Sequence, residues 1–189
     1  MATSVLYMSM SVDGYIAGLH DSPSNPGGDG FARLHEWLGD FSRPEGAVGD
    51  LFDEMQSYGA IVAGRRTVEQ VDHWNGDRNG VRIFVPSHRP PEPSVSNFPM
   101  VSYVNDGIVS AMAQARAAAG DRYVLVHGAY TARLALEAGV LDELQIHQIP
   151  VLFGRGRRLF DVLPTQIELE VRGVIDSPAA THIRYRVRR

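Results

Sequence analysis

"VLVHGAYTARLALEAG", residues 124–139, carries the pattern on which the fold turns. Val124, Leu125 and Val126 are β-formers that run into His127-Gly128-Ala129. A helix-forming run follows at once, with Ala132, Leu134, Leu136 and Ala138, and Gly139 is its stop. A strand that enters a helix through a glycine is either a plain connection or a place where a phosphate rests on free helix amides. The stretch alone leaves both open.

The same alternation recurs on either side. "AIVAG" (60–64) reads as a buried strand, and "RRTVEQV" starts a helix. "VRIFVP" (81–86) and "MVSYV" (100–104) are strands. "SHRPPEPSVSNFP" (87–99), with four prolines, is a loop, and "DGIVSAMAQARAAAG" (106–120) is an Ala-rich helix. Upstream, "SVLYMSM" (4–10) is a strand, Asp13-Gly14 a turn, and Tyr15–Gly18 extended again. Residues 19–30, "LHDSPSNPGGDG", form an exposed loop. "FARLHEWL" (31–38) sets Phe31, Leu34, Trp37 and Leu38 at helical spacing. After a further break, "DLFDEMQSYG" (50–59) puts Leu51, Phe52 and Met55 on one helix face, with Asp50 as N-cap candidate. Downstream come a long strand over 142–153 and a glycine-containing turn, "GRGRRLF". Two alternating strands, "IELEVRGVI" and "THIRYRV", close the chain as a half-buried antiparallel hairpin. Strand–helix alternation predicts an α/β fold: a mostly parallel central sheet, helices on both faces, and a C-terminal antiparallel hairpin. With no repeat and no boundary, residues 1–189 read as a single domain.

Composition narrows the function. Apolar residues make up 44% of the chain and charged ones 21%, as in a folded globular protein. The net charge of −4 disfavours a nucleic-acid binder, which usually shows a basic face. All 18 basic residues are arginine. Without cysteine there is no disulfide, no thiolate catalysis and no Cys-ligated zinc. Seven histidines lie without metal-ligand spacing, so no metal is expected. No apolar run reaches 18 residues and the N-terminus is not signal-like, which predicts a cytoplasmic protein.

Three strand ends offer anion-compatible groups. Gly64-Arg65-Arg66-Thr67 places two arginines in a first helical turn, where the helix dipole repels them. Either both point to solvent or something negative sits between them. Gly128-Ala129-Tyr130-Thr131 again presents free amides. Ser87-His88-Arg89 leaves the third strand. Ligands of open α/β sheets bind beyond the carboxyl ends of the strands, and a dinucleotide would use all three. His147, amid aliphatics in "LQIHQIP", is either a satisfied core residue or a catalyst. There is no GxGxxG, no GxxxxGK[ST] and no GxSxG.

"MSMSVDGYIAG", "VAGRRT", "LDELQIHQIPVLFGRGRRLF" and the hairpin together resemble the dihydrofolate reductase-like superfamily, in the branch of the riboflavin-biosynthesis reductase domain. The resemblance implies a three-layer fold, an NADPH-dependent reductase, a small-molecule substrate and a homodimer, with the hairpin or residues 149–160 as interface. It implies that Ile16 and Ala17 bracket the nicotinamide carboxamide through their backbones. Gly64, Arg65, Arg66 and Thr67 would hold the pyrophosphate and the 2′-phosphate. Ser87, His88 and Arg89 would flank the adenosine, and Gly128, Ala129, Tyr130 and Thr131 would make the second pyrophosphate contact. Asp50 would be the substrate-orienting carboxylate, with His147 facing it across the cleft to orient substrate or relay a proton. Two departures stand out. Gly128-Ala129 replaces a Gly-Gly pair that dihydrofolate reductases join by a cis bond, and an alanine methyl in the pyrophosphate space would exclude tight contact. Gly154-Arg155-Gly156 replaces a Gly triplet, leaving Arg155, Arg157 and Arg158 for an anionic substrate, a partner or solvent. The alternative to a reductase is a nucleotide-binding sensor or sequestering module without turnover.

Overall fold

The computed structural model describes residues 2–39 and 43–188. Part of the break read between 38 and 50 therefore lies outside the described residues. In chain order the elements are β1 (Ser4–Ser11), β2 (Tyr15–Ala17), α1 (Gly46–Gln56), β3 (Ala60–Ala63) and α2 (Arg65–Gln70). Then come β4 (Arg82–Pro86), β5 (Val101–Val104), α3 (Ile108–Ala119), β6 (Val124–His127) and α4 (Ala129–Glu137). The chain ends with β7 (Glu143–Ile149), β8 (Arg157–Arg158), β9 (Leu169–Asp176) and β10 (Thr181–Val187).

Eight strands form one sheet in the order β5-β4-β3-β6-β1-β7-β10-β9. The first six run parallel, while β10 is antiparallel to both β7 and β9. The side-chain period of two divides each central strand between two cores. Leu6, Val62, Phe84, Val124 and Val126 pack under α3 and α4. Val5, Tyr7, Ile61, Ile83 and Leu125 face the other way, toward Leu51 of α1 and Val68 of α2. Burial on both faces is why "AIVA" reads as an unbroken apolar run. Each fully buried aliphatic side chain there contributes roughly 1.5–3 kcal/mol.

Several local readings change. Residues 31–38 do present Leu34, Trp37 and Leu38 to the core, but as a tighter 3-10 helix. Helix α1 starts at Gly46, four residues before Asp50, so Asp50 is interior and not the N-cap. Its first turn, Gly46-Ala47-Val48-Gly49, carries little periodicity to read. Strand β7 stops at Ile149 because Pro150 has no N–H to donate. The "GRGRR" turn adds β8, which pairs with β2 in a separate two-stranded sheet. A Cβ on Gly156 would sit 2.1 Å from the Ala17 carbonyl oxygen, so only glycine allows that approach. Strand β9 is exposed over most of its length rather than half-buried.

Candidate functional site

The parallel register brings the first two junctions together. Ala63 pairs with His127, so Gly64 and Gly128 follow as neighbours. A Cβ on Gly64 would meet Thr131 Oγ1 at 2.9 Å, and one on Gly128 would meet Thr67 Oγ1 at 3.0 Å. Each glycine thus leaves room for the threonine of the opposite helix. Thr131 is fully buried, and its hydroxyl has no partner in the protein. An unpaired buried hydroxyl is costly, which points to a ligand acceptor or donor at this spot.

Among the described residues no peptide bond is cis, so Gly128–Ala129 is trans. Gly128 makes the turn with φ 93° and ψ 145°, a region nearly closed to other residues. Ala129 packs against the core under α4 and also lines the cleft described below.

These junctions border a cleft of about 820 Å³. Ile16, Ala17, Gly64 to Thr67, Ser87 to Arg89 and Gly128 to Thr131 all line it, as does His147. The carboxyl ends of β3, β4 and β6 thus open onto one space.

Of the two partners open to the arginines, solvent or a negative group, each arginine has a carboxylate of the chain beside it. Arg65 bonds Glu69 at 2.5 Å and the Pro90 carbonyl at 2.7 Å, tying down the 87–90 loop. Arg66 grips both carboxylate oxygens of Asp21, at 2.7 and 2.6 Å. Gln70 donates to the same carboxylate, and Arg157 lies 4.0 Å away. Arg66 holds the Asp21 carboxyl down to about 2. The chain supplies the negative groups itself, and Asp21 fastens the 19–30 loop over α2 as a wall of the cleft.

Asp50 and His147 are not brought together. Asp50 is 82% exposed, ion-pairs with Arg43 at 3.1 Å and borders a second, smaller cleft of about 280 Å³ beneath α1. Its place one turn inside α1 turns it away from the main cleft. Among the described residues lining the main cleft, Asp21 is the one carboxylate. His147 is 2% exposed and faces the row that Tyr7 and Ser9 form on β1. Burial holds its imidazole well below the usual value, so it is uncharged near neutral pH.

Sequence reading missed the aromatic half of the cleft: Tyr7, Trp37, Tyr58, Trp74, His35 and His127. Trp37 lies 4.3 Å from the His147 ring, and its indole donates to Ser9 Oγ at 2.9 Å. Trp74 sits in a turn where Asp72, His73, Trp74 and Asn75 all have positive φ, and Arg78 stacks on it at 4.6 Å. His127 is pushed down to about 3 by burial, then by Arg78 and His35. The period of two in β1 and β6 was the one available signal: it aligns Tyr7 and His127 on the face of His147.

A mostly parallel sheet with a mixed apolar and polar cleft across its carboxyl ends defines a small-molecule-binding α/β protein. The chain belongs to the RibD C-terminal domain family, whose model matches residues 3–182. The fold is the dihydrofolate reductase-like one. Among curated proteins none matches the sequence. Solved structures do. A candidate riboflavin biosynthesis protein from Shewanella sp. PV-4 is 24% identical, with both chains covered fully and a TM-score of 0.73. The diaminohydroxyphosphoribosylaminopyrimidine deaminase/5-amino-6-(5-phosphoribosylamino)uracil reductase of Thermotoga maritima is 16% identical, with a TM-score of 0.61 over 98% of this chain and 56% of that one. RibD of Acinetobacter baumannii is 18% identical, with a TM-score of 0.62 over all of this chain and 59% of that one. The chain thus spans little more than half the length of the last two. At these identities the likeness speaks to the fold.

Proposed function

We propose that this protein is a reductase that passes a hydride from NADPH to a small heterocyclic substrate. The observation that carries the reading is the glycine–threonine pair at adjacent strand ends, with the Thr131 hydroxyl buried and unpartnered at the cleft. Gly64 and Gly128 leave a cradle that any side chain would fill, and the amides of α2 and α4 open beside it. Family membership supports the same reading. When bound, the cofactor supplies the hydride. The chain's own residues do the rest. Thr67 and Thr131 would hold the pyrophosphate, and Ile16 and Ala17 would orient the carboxamide. Arg66, now on Asp21, and Arg157 beside it would be the groups to hold a 2′-phosphate. Ser87, His88 and Arg89 border the adenosine. Tyr7, Trp37 and Tyr58 wall the substrate half and exclude water.

The test is a thermal melt with NADPH and with NADH, followed by NADPH oxidation across a panel of pyrimidines and pterins. NADPH is expected to raise Tm more than NADH does. No shift with either discards the reading. Binding without turnover has one observation in its favour: no free carboxylate lines the cleft among the described residues. Steady NADPH consumption with any heterocycle excludes it.

The reading carries a cytoplasmic location, a single folded domain and a homodimer. For the dimer we propose the open face of the hairpin, where Val171 and Val174 are 59% and 57% exposed. No metal enters the reading.

A further inference from the structure

His147 lies beside His182 in the sheet register, and their Nδ1 atoms are 2.8 Å apart. Both rings are buried, at 2% and 1% exposure, with Trp37 lying against them at 4.3 and 4.9 Å. One Nδ1 must donate and the other accept, so the two tautomers are linked. Ser177 decides which way. Its hydroxyl donates to the Ala180 carbonyl at 2.8 Å and accepts from the Ala180 amide at 3.2 Å. The hydroxyl lies closer to the Ala180 carbonyl than to His182 Nε2, 3.4 Å away, an arrangement that favours Ser177 Oγ as the acceptor from His182 Nε2. His182 then carries its proton on Nε2 and leaves Nδ1 bare. His147 must donate from Nδ1, and its Nε2 is left as a lone pair. That atom is buried and has no partner in the protein, and the His147 side chain is among those that line the main cleft.

We propose that His147, fixed by His182 and Ser177 with a bare Nε2 toward the cleft, is the acceptor that selects substrates bearing a ring N–H donor. The inference rests on the substrate half of the reductase site proposed above. It fills a gap there: Asp50 lies outside, and among the described residues no free carboxylate lines the cleft to accept such a hydrogen bond. A cyclic imide or lactam ring between Trp37 and Tyr7 presents the required N–H. A buried acceptor left unmet by a methylated ring is penalised, which turns a packing pocket into a selective one. His182 and Ser177 touch no substrate and act as positioning residues. Burial holds the His147 ring uncharged and so preserves the lone pair; desolvation acts likewise on His182, opposed by Asp176.

Nitrogen-15 spectra of the histidine rings test this without the cofactor. In the full chain, His147 Nε2 and His182 Nδ1 are expected to be unprotonated, and His147 Nδ1 and His182 Nε2 protonated. A proton on His147 Nε2 overturns the proposal. Ser177→Ala is expected to mix the two tautomer pairs in a chain that keeps its fold by circular dichroism. An unmixed His147 signal removes Ser177 from the chain of bonds. Uracil is expected to shift the His147 Nε2 resonance and to bind about tenfold tighter than 1,3-dimethyluracil, whose ring nitrogens are methylated. Equal responses, or none, overturn the N–H selection. None of these readouts uses NADPH. A failed cofactor melt with the tautomers as expected discards the reductase and leaves the acceptor standing.

Discussion

The hydroxyl of Thr131 is a small liability with a use. Buried and unpartnered, it costs the free protein stability and is repaid only by a ligand. Thr131→Val is expected to leave the free protein as stable or up to about 1 kcal/mol more stable, and to shrink the rise in Tm that NADPH gives. Paired melts with and without cofactor check this. His127 offers a pH test. Its folded value of about 3 lies below the usual 6.5, so its contribution is fully present above 6.5. Stability is lost as pH falls from 6.5 toward 3, because the unfolded chain takes up a proton that the folded one refuses. The slope for one proton is about 1.4 kcal/mol per pH unit. Urea titrations at pH 7, 6, 5 and 4 should show it, and His127→Gln should reduce it by one proton. The residue types at the strand ends were legible in the sequence: Gly64, Thr67, Gly128 and Thr131 stand where the alternation of strand and helix sets them. Their mutual contact was not, because it depends on the order of β3 and β6 in the sheet.

At the scale of elements, turns and strand ends carry the corrections. Asp13 reads as a turn former, and it is more than that. It accepts from Ser11 Oγ at 2.6 Å, from the Phe153 amide at 3.1 Å and from the Gly154 amide at 2.7 Å. It therefore ties the β1–β2 turn to the segment after β7. The Ser11 bond, with the Gly154 and Phe153 amides, holds its carboxyl at about 2, below the usual 3.8. The tie is at full strength above pH 3.8 and is lost as pH falls toward 2. Asp13→Ala is expected to melt earlier than the parent at pH 7 and together with it at pH 2. Calorimetry at the two pH values decides it. Strand and helix positions in the middle of the chain followed from apolar runs and glycine stops. The early start of α1 and the early end of β7 did not. The first lacks an apolar stripe, and the second turns on one proline within an apolar run.

Across the whole molecule, the hairpin at the sheet edge is one place where apolar side chains are exposed. Val171 and Val174 lie on β9, which among the described residues has no strand beyond it. An uncovered edge with apolar side chains invites another chain. Val174→Asp is expected to convert a dimer to a monomer in sedimentation velocity, with the NADPH shift in Tm retained. A parent that sediments as a monomer removes the dimer. The sequence by itself determined the α/β class, the parallel centre, the hairpin and the family, since these follow from local periodicity and short motifs. Tertiary structure alone decided what the strand ends do. It gave Arg65 and Arg66 partners within the chain, took Asp50 out of the cleft and set His182 against His147. Arg65 with Glu69 is a one-turn helical pair, but Arg66 with Asp21 and His147 with His182 join residues far apart along the chain. Lateral strand order and helix placement fix such distances, and no local pattern records them.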